Sequence, residues 1–202
     1  MVPHLLLLDG VVNVVFILRK GFIMKVYVIA GKAGCGKNTS ANYMKKYYES
    51  IGKSVVITEI SKYLKLFAYE IKNWDGERET KPRTFLQEVG SLIRHELFND
   101  NFFINRFLED MKVYEKFVDV VIVADARFPK EIESIKKACN SISIEVINEF
   151  SEYEIKGKET IHETEVALDS YDNYDYIVHN KTFRKLEEDL IKIVKEVEDN
   201  EE

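Results

Sequence analysis

KVYVIAGKAGCGKNTS, residues 25–40, is the stretch that decides the fold. Its first six residues, Lys25 to Ala30, form an apolar, β-branched run of the kind that makes a buried strand. From Thr39 to Ser50 the chain continues a helix that opens inside the glycine-rich stretch GKAGCGK, Gly31 to Lys37. Strand, glycine loop and helix, with a lysine closing the loop, let backbone N–H groups and a helix N-terminus converge on phosphate oxygens. Gly31, Gly34 and Gly36 are expected at positive φ, because a side chain there would strain the backbone and collide with the anion. Ala33, Cys35, Asn38 and Thr39 complete the expected phosphate-binding segment, and Lys37 is expected to bridge the terminal phosphates and offset charge as a phosphoryl group moves.

Working outward, short β-rich runs alternate with longer helical periods. Ser54 to Glu59 reads as a strand, and Ser61 to Asn73 as an amphipathic helix with Leu64, Phe67, Ala68 and Ile71 toward a core. The charged loop Trp74 to Lys81 leads to Pro82, placed as the first residue of a helix reaching about Leu97. A helix from about Asn101 to Tyr114 precedes Val118 to Ala124, the run with the strongest β bias, with Asp125 at its carboxyl end. A helix near Lys130 to Cys139, a strand at Ile142 to Ile147, a polar stretch at Asn148 to Thr160 and a helix from about Glu163 follow. The strand Tyr174 to Val178 and the helix Thr182 to Val197 end the pattern, with Leu186, Leu190, Ile193, Val194 and Val197 on one helical face. The order predicts an α/β protein: a three-layer P-loop NTPase fold with a parallel sheet flanked by helices. The acidic end, Glu196 to Glu202, reads as a frayed, solvated tail.

At 202 residues the chain suits a single P-loop domain over 24–202. Residues 1–23 are nearly all apolar, but Asp9 and Gly10 divide them into pieces too short to span a bilayer, and they lack a signal-peptide pattern. They are expected to be a non-native extension ahead of a start at Met24; a peripheral membrane anchor or an added strand are the alternatives. A net charge of −6 argues against a nucleic-acid partner, since binding through counterion release needs clustered cations. Cys35 and Cys139 have neither disulfide-framework nor zinc spacing, and a cytoplasmic location is expected. Cys35 is either a small space-filler or a thiol whose pKa the helix N-terminus lowers. Stable membrane insertion is not expected, and a homodimer is left open.

The hydroxyl residue expected after the loop lysine is replaced by Asn38, so a magnesium ion would meet Asn38 through water. Asp125 stands where open α/β sheets place ligand-contacting groups, either as a second water-mediated magnesium contact or as a turn cap. Arg127 leaves the strand toward the same crevice. Arg83 and Arg94 lie 11 residues apart, three helical turns, with Gln87 one turn after Arg83. Each arginine alone reads as a solvated surface residue; together, on one face, they offer bidentate contacts to an anion.

These residues resemble the deoxynucleoside monophosphate kinases of bacteriophages and some bacteria. The family's phosphate loop reads GKDT, and Gly36 to Thr39 is GKNT; its Walker-B segment DxRFPxE is matched by Asp125, Arg127, Phe128, Pro129 and Glu131. Its substrate helix RxxLQxxGxxxR is matched by Arg83, Leu86, Gln87, Gly90 and Arg94, and a later HxSE-like element by His162, Thr164 and Glu165. The resemblance spans Met24 to about Leu190. It implies transfer of the γ-phosphoryl group of ATP, with Mg2+, to the phosphate of a (deoxy)nucleoside monophosphate. Lys37, Asp125, Arg127 and Arg94 would be the catalytic set, and Lys65, Arg83, Gln87 and Arg94 the substrate-binding set.

One feature departs from that pattern. No arginine lies between Arg127 and Arg184, where such kinases carry lid arginines, and Lys156 and Lys158 are the available substitutes. His162 has no Cys or His partner at ligand spacing and reads as structural, and Phe102 or Phe103 is a candidate to stack on a nucleobase. The alternatives to a nucleotide kinase are an ATP-binding regulatory protein of weak or no catalysis, and another small-molecule kinase acting on phosphomevalonate or dephospho-coenzyme A.

Overall fold

The computed structural model describes residues 7–8, 11–12, 23–77, 79–149 and 163–200. The expected lid lysines, Lys156 and Lys158, and His162 lie outside the described residues. In the first 22 residues the described part is one antiparallel pairing of Leu7–Leu8 with Val11–Val12.

Five strands form one parallel sheet: β1 (Lys25–Ala30), β2 (Val55–Thr58), β3 (Val120–Ala126), β4 (Ser141–Asn148) and β5 (Tyr176–Asn180). Their spatial order is β2-β3-β1-β4-β5. β1 therefore lies in the centre, and all six of its residues are buried, as its apolar run requires.

The two-residue period of the strands sorts their side chains into two cores. Tyr27 and Ile29 of β1, with Ile122 of β3, join one cluster with Met44, Tyr48 and Leu186. Val26 and Val28, with Val121 and Val123, join the other with Leu64, Phe107 and Ile132. Helices α1 (Lys37–Ser50) and α7 (Phe183–Asp199) thus cover one face. Helices α2 (Lys62–Lys72), α3 (Arg83–Leu92), α4 (Phe102–Tyr114) and α5 (Pro129–Ala138) cover the other. α3 runs on into a π-helical turn, Ile93–Leu97, so the helix expected to reach Leu97 changes its hydrogen bonding in its last turn. A four-residue helix, α6 (Glu163–Val166), precedes β5.

Two local expectations change. The five apolar residues named on the last helix are all buried, but on α2 only Leu64 and Ala68 are, while Phe67 is 42% and Ile71 63% exposed. α2 buries a single i,i+4 stripe, and the adjacent stripe faces outward. The acidic end is not simply solvated: α7 reaches Asp199, and Glu198 pairs with the buried Lys25 at 2.6 Å and accepts from Tyr48 Oη at 3.1 Å. A buried ammonium at the start of β1 needs such a partner, and the helix supplies it.

Candidate functional site

The pairing of β1 with β3 slips by one residue between Val28 and Ala30, leaving Ala124 and Asp125 opposite Ile29. Such a bulge re-aims a side chain where a strand meets a site. Asp125 is therefore the penultimate residue of β3, inside the strand and not after it. Its carboxylate accepts from Ile60 N at 2.8 Å, Ser61 N at 3.0 Å and Ser61 Oγ at 2.5 Å. The turn-capping alternative is thus formed, anchoring the entry to α2 with both oxygens.

Gly31, Gly34 and Gly36 adopt φ of 133°, 78° and 111°, as expected of the loop between β1 and α1. The backbone at Gly36 passes so close to Asn180 that a Cβ there would lie 2.7 Å from Asn180 Nδ2. Asn180 Nδ2 donates to Cys35 O at 2.9 Å, tying the last strand to the loop, while its buried Oδ1 has no partner among the described residues. Lys37, 8% exposed, donates from Nζ to Gly31 O at 2.7 Å and Lys32 O at 2.8 Å. Burial, with the nearby Arg127 cation, pushes its pKa down to about 8. Cys35 is 1% exposed and packs against the loop, which fits the space-filling reading.

A cleft of about 730 Å³ opens beyond this loop. It is lined by Lys37, Asn38 and Thr39 from the loop side, and by Lys65, Gln87 and Arg94 from the opposite wall. Ala33, Gly34, Gly36, Arg83, Asp125 and Arg127 also face it, so nearly all the residues named from sequence meet in one place. Gly31 and Cys35 are not on its wall. Gly90 has a packing reason for its place in α3: a Cβ there would meet Arg94 Nη1 and Leu64 Cδ2, each at 3.2 Å. The missing side chain leaves room for the arginine and lets α3 approach α2. The Arg94 guanidinium lies over the rings of Phe103 and Phe128, at 5.2 and 4.6 Å. Phe103 is only 2% exposed, so it serves as the floor under Arg94 and is covered by it. Phe102 stacks on Phe98 at 4.6 Å.

Glu131, 5% exposed, accepts from Arg127 N at 2.7 Å and Phe128 N at 3.1 Å. It reaches back from the first turn of α5 to hold the turn that presents Arg127. Burial raises its pKa to about 7.

Two residues of the site were not singled out in the sequence. Lys81 lines the cleft, and while its carbonyl accepts from Arg83 N at 2.8 Å, its ammonium makes no hydrogen bond or ion pair with another described residue. Burial, and then the Lys65 cation, bring it down to about 8. Its signal in the sequence was only a lysine before a proline. Glu165, whose side chain is 9% exposed, accepts from Ala33 N at 3.2 Å and from Arg127 Nη1 at 3.0 Å. It was visible as part of the HxSE-like element, but nothing local says that it reaches the glycine loop, 132 positions away.

Among the described residues no group of three or more His, Cys, Asp or Glu is placed to hold a metal by protein ligands alone. Thr39, Asn38 and Asp125 share the cleft, and Asp125 already accepts three bonds. That donor set fits a magnesium ion held through water and ligand phosphates.

No protein-family model and no curated protein matches the chain. Among solved structures it is similar to the Mycobacterium tuberculosis APS kinase CysC in complex with AMPPNP and APS. That match has 11% identity and a TM-score of 0.54 over 88% of this chain and 99% of the other. A mutant of that enzyme gives 10% identity and a TM-score of 0.50 over 86% and 99%. A shikimate kinase from Aquifex aeolicus aligns at 16% identity and a TM-score of 0.46 over 88% and 98%. The first two show the fold: three layers, with a parallel sheet between helices and a phosphate loop after its central strand.

Proposed function

We propose that this protein is an ATP-dependent kinase whose acceptor is the phosphate of a (deoxy)nucleoside monophosphate. One observation carries the choice of acceptor. Four carboxylates line the cleft, and each already has partners: Glu59 with Lys65, Asp125 with the α2 turn, Glu131 with the Arg127 turn, and Glu165 with Arg127 and the loop. Six cations line it too: Lys37, Lys65, Lys81, Arg83, Arg94 and Arg127. A hydroxyl acceptor needs a base to take its proton, and in the ligand-free structure each of these four carboxylates is engaged by a cation, a hydroxyl or backbone N–H groups. A phosphate acceptor needs no base, since its attacking oxygen is already ionised, but it needs cations, which are in excess.

An acceptor phosphate oxygen would form a bond to the γ-phosphorus as the bond from that phosphorus to the β–γ bridging oxygen breaks, its electron pair leaving with ADP. Lys37 offsets the charge on the donor phosphates, and Arg94 and Lys81 hold the acceptor from the opposite wall. Arg127, presented by the Glu131-held turn, stands between the two. Magnesium would neutralise charge on the donor phosphates. The APS kinase neighbours support phosphoryl transfer from ATP to a small molecule, and the choice of a nucleoside monophosphate as acceptor is supported by the match to the nucleotide-kinase motifs.

A coupled ADP-release assay across the nucleoside monophosphates tests it, with phosphomevalonate, dephospho-coenzyme A and shikimate as controls. ADP release is expected with one or more monophosphates only. Release with a hydroxyl acceptor would overturn the reading, and AMPPNP binding without release on any acceptor would favour the regulatory ATP binder.

The two depressed lysines set a pH dependence. Below about 8 both are charged in the free protein, and above it they lose the proton that anion binding needs. The kcat/KM for ATP and for the acceptor are each expected to fall as pH rises through about 8, approaching tenfold per unit, since this quantity reports groups of the free enzyme. Initial rates across the alkaline range check this; profiles flat to about pH 10, the ordinary lysine value, would contradict it.

A further inference from the structure

Glu165 does something a carboxylate in a phosphate loop should not do in a ligand-binding state. Its Oε2 takes the Ala33 N–H, one of the donors the glycine loop exposes toward the cleft, and its Oε1 takes the Arg127 guanidinium. Both groups are ones that a triphosphate would use. A triphosphate and a carboxylate cannot share these donors, because like charges at contact repel strongly in a partly desolvated cleft.

Two residues earlier on α6, Glu163 lies outside the cleft lining but engages residues of the helix that forms the other wall. It accepts from Ser91 Oγ at 2.9 Å, lies 3.2 Å from His95 Nε2, and pairs with Arg94 at 3.9 Å. Arg94 is the arginine placed for the acceptor. α6 is a single helical turn with no buried residue, and Leu168, two positions beyond it, is where the chain first packs against a core cluster. The turn is therefore held to the cleft by its two carboxylates and by polar contacts, with no apolar anchor of its own.

We propose that α6 is an anion surrogate that couples the two phosphate subsites: Glu165 fills the donor cradle and Glu163 the acceptor arginine, so that entry of a triphosphate withdraws both and opens the acceptor subsite. A single turn with no apolar anchor moves as a unit, so a withdrawal of the turn that takes Glu165 from the loop takes Glu163 from Arg94 as well, and the two displacements are linked. Binding of ATP raises the affinity for the acceptor, and by reciprocity the acceptor raises the affinity for ATP. The acceptor half rests on the functional reading above; the donor half rests on the loop alone.

Calorimetric binding to the full chain tests both halves, with AMPPNP plus magnesium as the donor probe and the nucleoside monophosphates as acceptor probes. Glu165→Gln keeps the size of the side chain and removes its charge, and is expected to bind AMPPNP about tenfold tighter. Unchanged or weaker binding, the result if Glu165 merely positions Arg127, overturns the proposal. In the unsubstituted protein a monophosphate is expected to bind about tenfold tighter with AMPPNP present than without. In Glu163→Gln it binds tightly without the nucleotide, and the coupling is lost. Coupling unchanged in Glu163→Gln overturns the acceptor half. Tighter AMPPNP binding by Glu165→Gln, with no monophosphate bound by any form, supports the donor half and overturns the acceptor half together with the functional reading. Amide exchange on the unsubstituted protein gives a check free of substitutions: residues 163–166 are expected to lose protection when AMPPNP binds, and unchanged protection overturns the withdrawal.

Discussion

Lys37→Ala is expected to lower phosphoryl transfer on the order of a thousandfold, the scale of losing one charged donor aimed at a transition state in a dry site. Lys37 stands at the base of the loop with Nζ inside hydrogen-bond reach of Gly31 O and Lys32 O, and it is 8% exposed. A cation so placed is pre-positioned, and no other described residue reaches these two carbonyls with a charged group. The same substitution is expected to leave the fold near its original stability. It removes two hydrogen bonds, but also a buried charge whose burial is already unfavourable enough to bring its pKa down to about 8. Turnover by the ADP-release assay and the urea midpoint together check this. Turnover within about tenfold of the unsubstituted protein would remove Lys37 from the transfer step.

Gly31→Ala is expected to destabilise the protein by roughly 3 kcal/mol and to abolish nucleotide binding. At φ 133° an alanine is strained by itself, and its Cβ would lie 2.4 Å from Val146 O and 2.8 Å from Cys35 Sγ. Val146 belongs to β4, whose ladder with β1 includes the pair Ala30 and Glu145, so its carbonyl cannot withdraw without opening the centre of the sheet. The control is Gly52→Ala. Gly52 has φ 82° with nothing within 4 Å of an added Cβ, so only the backbone term remains, roughly 1 kcal/mol. Urea unfolding of both variants separates the steric cost from the conformational one. Equal losses at the two positions would mean that the loop can move away from β4.

The parts of the molecule legible beforehand are those governed by neighbours in sequence. The six residues expected for the first strand are the ones that form β1, and the five apolar residues expected on the last helix are the ones α7 buries. The same holds for the glycines at positive φ. Most of the residues that line the cleft were also recognisable, because the glycine loop, the DARFPKE turn and the α3 motif are each local patterns of residue type and spacing. Misplacement began where burial depends on what packs opposite. Phe67 and Ile71 fit a helical period as well as Leu64 and Ala68 do, but the fold covers one stripe of α2 and not two.

Amino-acid order alone anticipated the class of the fold, the loop glycines at positive φ and five of the six cations that line the cleft, since strand period, helix period and loop glycines act over a few residues. Tertiary structure decided who partners whom. The bulge that turns Asp125 toward the start of α2, the Lys25–Glu198 pair across the sheet's end and the Glu165 carboxylate in the loop all join segments distant in the chain. The physical reason is that charge pairing and desolvation depend on separations of a few ångströms in space, which the order of residues does not contain until five strands and their helices have fixed it.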